Sequence, residues 1–253
     1  MKVLITFALE SEFASWLRQR EFARLAALDF PAFESFRGEL QIRAAITGMG
    51  RERAQRVARE ALRWQPDICI AAGFAGGLKS AFRAGDVLVA LAVRDGDTQR
   101  RFACNPRMVR LAEDSGASRI ATLCTCAYAV STVEDKRRVG RIAEAVDMES
   151  FFILSEAHER RIPGVAIRAV SDAANESLPM DFTQVLNEQG RVRVTRLAGK
   201  IARAPQRIPG LIRLGSASRR GAKNLARILE KTIELLSAAP GLFSERKAVT
   251  ATA

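Results

Sequence analysis

Short apolar runs alternate with amphipathic stretches along the first 181 residues, and this alternation restricts the fold more than any other feature. Val3-Leu-Ile-Thr-Phe-Ala8, Leu40 to Ile46, Ile68 to Ala72, Val87 to Val93, Ile120 to Cys124 and Val165 to Val170 have the length and apolar content of buried strands. Glu12 to Ala27, Arg51 to Trp64 and Met148 to Arg160 read as helices. Strands with no polar face must be covered on both sides. The expected fold is therefore α/β: a three-layer α/β/α sandwich around a mixed, partly parallel central sheet.

Beyond Asp181 the strand-like runs stop. Residues 182–247 hold 14 Lys/Arg against 4 Asp/Glu, so most of the net charge of +12 lies there. Leu197–Ala204 and Ser216–Leu236 read as helices, the second with Leu225, Ile228, Leu229, Ile233 and Leu236 along one face. The division expected is an α/β domain over 1–180 and a basic helical C-terminal extension over 181–253. Phe182 and Phe243 are the only aromatics of residues 182–247, and no nucleic-acid-binding motif is present, which argues against nucleic acid as partner. Basic charge beside an apolar stripe fits peripheral contact of 182–247 with an anionic membrane. Packing of the stripe on the body or on another subunit is the alternative.

Cys69, Cys104, Cys124 and Cys126 lack zinc-site spacing and read as reduced thiols of a cytoplasmic protein. Neither a secretory signal nor a run of roughly 18–20 apolar residues is present. No metal and no cofactor are expected.

In open α/β sheets, ligands bind beyond the carboxyl ends of strands. Four expected strands run into polar or glycine-rich segments: Glu10/Glu12, Thr47–Arg51 with its Gly48-Met-Gly50 turn, Gly73–Gly77, and Ser171–Asp172. The Gly48 turn lacks the third glycine of a dinucleotide fingerprint, and Asp67 lies at the wrong end of the next strand for its acid.

In this order, Ala8-Leu-Glu-Ser-Glu12, Ala72-Gly-Phe-Ala-Gly-Gly-Leu78, Ala145-Val-Asp-Met-Glu-Ser150 and Ile167-Arg-Ala-Val-Ser-Asp172 resemble the nucleoside phosphorylase/nucleosidase superfamily over residues 1–178. The branch most resembled is the methylthioadenosine/S-adenosylhomocysteine nucleosidases. The resemblance implies cleavage of the N-glycosidic bond of a 5′-substituted adenosine, releasing adenine to water or to phosphate as co-substrate. It assigns Asp172 as the acid that protonates the departing base, with Ser171 as its hydrogen-bond partner. Glu149 matches the family residue that grips the ribose hydroxyls, whose negative charge favours an oxocarbenium-like transition state, and Met148 is expected to pack on the sugar. By the same resemblance, Glu12 matches the carboxylate that activates the attacking water. Gly76, Phe74 and Gly48 belong to the expected site wall.

Phe74 stands where hydrolytic members carry a small polar residue, and Asn175 where the Ser-Asp-x-Ala-Asp run has an acid. Both departures imply an altered pocket rather than an inactive one, because Glu149 and Asp172 remain; a catalytically degenerate nucleoside-binding or assembly module is the competing reading. A narrower resemblance, carried by the Phe74 loop, Val146-Asp-Met-Glu-Ser150 and the Arg-rich extension, is to hopanoid-associated phosphorylases, which implies adenosylhopane as substrate. Phosphate would require arginines or an amide nest, with Thr47–Arg51, Arg43 and Arg168 as candidates. Glu12 argues for water. The superfamily also implies a homo-oligomer, with Phe102, Phe151 and Phe152 as candidate contacts near the site.

Overall fold

A computed structural model describes residues 1–180 and 204–238. The strands are β1 (Lys2–Phe7), β2 (Ala23–Leu25), β3 (Ala32–Arg37), β4 (Leu40–Ile46), β5 (Ile68–Gly77), β6 (Val87–Asp95), β7 (Arg101–Ala103), β8 (Ser118–Thr125), β9 (Ala145–Asp147) and β10 (Gly164–Asp172). The α-helices are α1 (Glu10–Leu17), α2 (Arg51–Ala61), α3 (Pro106–Asp114), α4 (Val133–Val139), α5 (Ser150–Glu159) and α6 (Ile208–Ala238). One mixed sheet runs β10-β6-β8-β9-β5-β1-β4-β3-β2, with β7 on β6. β10 also pairs with β5, so β5, β10, β6, β8 and β9 close on themselves. The fold is thus α/β with a mixed, partly parallel sheet, as expected, and its curled end gathers several strand ends around one point.

The glycine-rich segment after Ala72 is not a loop. β5 continues through Gly77, paired with β10 and β9. A side chain at Gly73, whose φ is +147°, would meet the Arg168 guanidinium and lie 2.9 Å from Glu12 Oε1. At Gly76 it would sit 3.3 Å from both Asp172 Oδ2 and Val146 Cγ1. These positions are small because charged side chains approach the strand backbone there.

The first helix is shorter than its periodicity predicts. α1 ends at Leu17, and Phe22 folds back onto Phe13 and Trp16, with ring centroids 5.0 and 5.1 Å apart. The following residues form β2, an edge strand on β3. Phe151 and Phe152 are core residues, 3% and 1% exposed, and Phe102 stacks on Phe151 at 5.1 Å. Their apolar character serves the interior, so it is no argument for a subunit contact.

The stripe on the last helix is also interior. Leu225, Ile228, Leu229, Ile233 and Leu236 are each 0% exposed and belong to the main core, where α6 packs on α1, α3 and β10. This stripe therefore cannot face a lipid surface, and among the described residues no helix is long and apolar enough to cross a membrane. Most of the Leu197–Ala204 stretch lies outside the described residues. Glu230 on α6 accepts from Trp16 Nε1 at 2.8 Å and from Arg20 Nη2 at 2.6 Å, which ties α6 to the helix that carries Glu12. Truncating a fully buried leucine removes its transfer energy and leaves a cavity. Leu229→Ala should therefore cost about 2–5 kcal/mol in urea unfolding. A change below about 0.5 kcal/mol, as at surface positions, would mean that α6 contributes little to the core.

Candidate active site

The carboxyl ends of β1, β4, β5, β9 and β10 surround one cleft of about 160 Å³. Glu12, from the first turns of α1, is 3% exposed; Glu149, just after β9, and Asp172, at the end of β10, are each 5% exposed. All three line this cleft, together with Phe74, Gly76, Met148 and Ser171. Gly48 does not. It lies in a separate recess with Thr47, Arg53 and Arg56, because its φ of +78° turns the chain so that Met49 lines the cleft instead.

Each acid is held by identifiable groups. Glu12 Oε2 accepts from Leu9 N–H at 2.9 Å, and Oε1 accepts from Phe74 N–H at 2.8 Å, which locks α1 against β5. Glu149 Oε1 accepts from Gly50 N–H at 2.9 Å, so the β4–α2 turn supports the site through its backbone. Pairing of β10 with β5 is irregular between Val170 and Asp172, where Asp172 comes opposite Gly76. The irregularity re-aims the end of the strand. Ser171 Oγ meets Asp172 Oδ1 and reaches the Ala75 carbonyl at 3.3 Å.

Beneath the acids lies Arg168, 1% exposed. Its Nη2 pairs with Asp147 Oδ2 at 2.7 Å, its Nε donates to Ser150 Oγ at 3.0 Å, and its Nη1 donates to the Ala72 carbonyl at 3.2 Å. Arg43 pairs with Glu34 at 2.9 Å. Neither side chain lines the cleft, so these two candidate phosphate ligands are engaged elsewhere.

Burial raises the Glu12 pKa, against the opposing pull of Arg168 and of backbone N–H groups. Burial likewise pushes Glu149 up to about 8; Arg168 opposes the shift, and Asp147 and Glu12 add to it. A carboxyl raised from 4.5 to about 8 keeps a proton that the unfolded chain releases. Its contribution to stability is therefore complete below pH 4.5 and is lost as pH climbs to about 8. Glu149→Gln preserves the oxygen facing Gly50 N–H and removes this titration. The variant should melt above wild type by a margin that widens from about pH 5 to about pH 8. Parallel melting temperatures across that range would contradict the shift.

Sequence reasoning missed Lys136, Asp147 and Tyr128. Lys136 is 0% exposed and bonds Asp172 Oδ2. Asp147 sits within the quoted Val146-Asp-Met-Glu-Ser150 run but went unassigned; it also accepts from Thr125 Oγ1 at 2.6 Å. Tyr128, 49% exposed, lines the cleft with Leu9, Met49, Val130 and Leu178.

Comparison with known proteins gives the family and the fold. The family model described as the phosphorylase superfamily matches residues 2–203. The chain is 27% identical over 214 residues to the 5′-methylthioadenosine/S-adenosylhomocysteine nucleosidase of Tolumonas auensis, covering 74% of this chain and 92% of that one. It is 27% identical over 163 residues to the Bacillus subtilis protein of the same name, covering 55% and 70%. Among solved structures, a futalosine hydrolase mutant of Helicobacter pylori superposes with a TM-score of 0.74 at 14% identity, over 93% of this chain and 100% of that one. The Neisseria meningitidis 5′-methylthioadenosine/S-adenosylhomocysteine nucleosidase in complex with methylthio-immucillin-A gives 0.73 at 21% identity, over 93% and 99%. At these identities the structural likenesses establish the fold.

Proposed function

This chain belongs to the phosphorylase superfamily, and on that footing we propose that it is a purine nucleosidase: it cleaves the N-glycosidic bond of a 5′-substituted adenosine and releases adenine. One observation carries the reading: Glu12, Glu149 and Asp172 converge on a single cleft. The bond breaks with positive charge developing on the ribose and negative charge on the base. Asp172 supplies a proton to the base, which removes the need to expel an anion. Glu149 binds the ribose hydroxyls, and its ionised form, favoured above about pH 8, faces the positive charge of the transition state. Glu12 takes a proton from the attacking water, and Met148 packs beside the sugar.

Water is the preferred nucleophile because the described residues lining the cleft include no lysine or arginine. A phosphate dianion brought there would lose hydration without gaining a cation. Adenine release from 5′-methylthioadenosine should proceed at the same rate with and without phosphate, with free sugar as product. Phosphate-dependent formation of a sugar 1-phosphate would replace hydrolysis by phosphorolysis.

Leu9, Met49, Tyr128, Val130 and Leu178 give the cleft an apolar lining, which suits an apolar 5′-substituent. Adenosylhopane, suggested by the resemblance to hopanoid-associated phosphorylases, is the specific candidate. Comparing kcat/KM for adenosine, 5′-methylthioadenosine and adenosylhopane tests this choice; highest efficiency on adenosine itself would reject an apolar substituent.

A further inference from the structure

Lys136 has no part in the mechanism just described, yet its setting is that of a site residue. It lies on α4, whose N-cap Thr132 Oγ1 accepts from Asp135 N–H at 3.0 Å. Arg137 and Arg138 beside it are exposed, whereas Lys136 turns inward and is 0% exposed. Its ammonium donates to Asp172 Oδ2, to the Ala173 carbonyl at 2.7 Å and to the Glu176 carbonyl at 2.7 Å. An ammonium has three N–H donors, and here each has a partner. Lys136 therefore has none left for a substrate, and any effect on the reaction must pass through Asp172. Burying a cation costs several kcal/mol, which here three close oxygen partners offset. The chain sustains that cost at the carboxyl group assigned as the acid.

Building on the nucleosidase reading above, we propose that Lys136 is a positioning residue for glycosidic cleavage: it fixes the Asp172 carboxyl group and neutralises the carboxylate that forms when Asp172 gives up its proton. In that step the proton passes from Asp172 to a ring nitrogen of the purine. The electron pair of the breaking C–N bond goes to the base. The carboxylate left behind faces Lys136 through Oδ2 and Ser171 Oγ through Oδ1. The ammonium thus stabilises a charge that grows along the reaction coordinate, which is the condition for accelerating the step.

The test compares two substrates that differ in their need for an acid. 5′-Methylthioadenosine has a leaving group that must be protonated. The matching p-nitrophenyl 5-methylthio-β-riboside expels a stable phenolate without a proton. Lys136→Met should lower kcat for adenine release by about 100-fold and change p-nitrophenol release by less than about threefold. Equal losses on both substrates would show a merely structural role and overturn the proposal, as would no loss on either. Should Lys136→Met fail to fold, the double variant with Asp172→Asn removes both partners of the buried pair, the change such pairs tolerate best. The double variant should release adenine at the rate of Asp172→Asn alone, because Lys136 acts only through the carboxyl group. A further loss of about tenfold would overturn the proposal. If the wild type cleaves neither substrate, the nucleosidase reading itself is lost and the assignment of Lys136 goes with it.

Discussion

Asp172→Asn is expected to lower adenine release by about 10³-fold, within the range general acids contribute, at a stability cost smaller than that of Arg168→Met because Lys136 keeps two carbonyl partners. Asparagine is nearly isosteric and keeps an oxygen toward Lys136, which also retains the Ala173 and Glu176 carbonyls at 2.7 Å. Ser171 keeps the Ala75 carbonyl as partner. What the variant loses is a proton that can be given to the base, so the effect should fall on kcat far more than on KM. Initial rates of adenine release, read beside the circular dichroism melting curve, check both halves of this expectation. A variant that keeps activity within tenfold of wild type would mean that the base leaves without help from this side chain.

Much of this site is legible in the chain because its acids sit at strand ends, where a run of buried residues stops and a polar residue begins. Glu12 and Asp172 each follow such a run, whereas Glu149 follows the three-residue β9, which the strand pattern does not announce, and rests on the family resemblance; the cleft brings all three together. Glycine-rich Gly73–Gly77 was readable as a site wall but not as strand, since its smallness answers to Arg168, Glu12 and Asp172 across the sheet. That requirement is tertiary, and no local spacing encodes it. The same holds for Lys136: within Lys136-Arg137-Arg138, composition cannot say which cation turns inward. At Gly48-Met49 the error was one of direction, because a positive φ decides which neighbour faces the cleft. On α6 the apolar stripe was plain, but amphipathic spacing states only that one face avoids water. Its contact with α1 and β10, and not with lipid, comes from the fold.

Arg168→Met is expected to be the most destabilising substitution around the cleft, by about 3–5 kcal/mol at neutral pH, as for the loss of one partner from a buried ion pair. Methionine covers much of the same length, so packing changes less than charge. The charge is decisive because the guanidinium, 1% exposed, pairs with Asp147 and lies beside Glu12 at Gly73. Arg168 also opposes the upward pull of burial on both Glu12 and Glu149. Without it, burial carries both carboxyl groups further up, and Glu12 spends more of its time protonated and unable to accept a proton from water. Stability and activity should therefore fall together. The pH dependence identifies the cause. Carboxyls raised further in the folded state destabilise it progressively as pH increases, so the deficit should be largest near pH 8 and shrink toward pH 5, where protonation removes the unpaired charge. Urea midpoints of wild type, Arg168→Met and Arg168→Lys at the two pH values separate charge from shape. Lysine should recover part of the loss at the higher pH. A deficit that is the same at both values and in both variants would assign Arg168 to packing alone, and the electrostatic account of Glu12 and Glu149 would fall with that result.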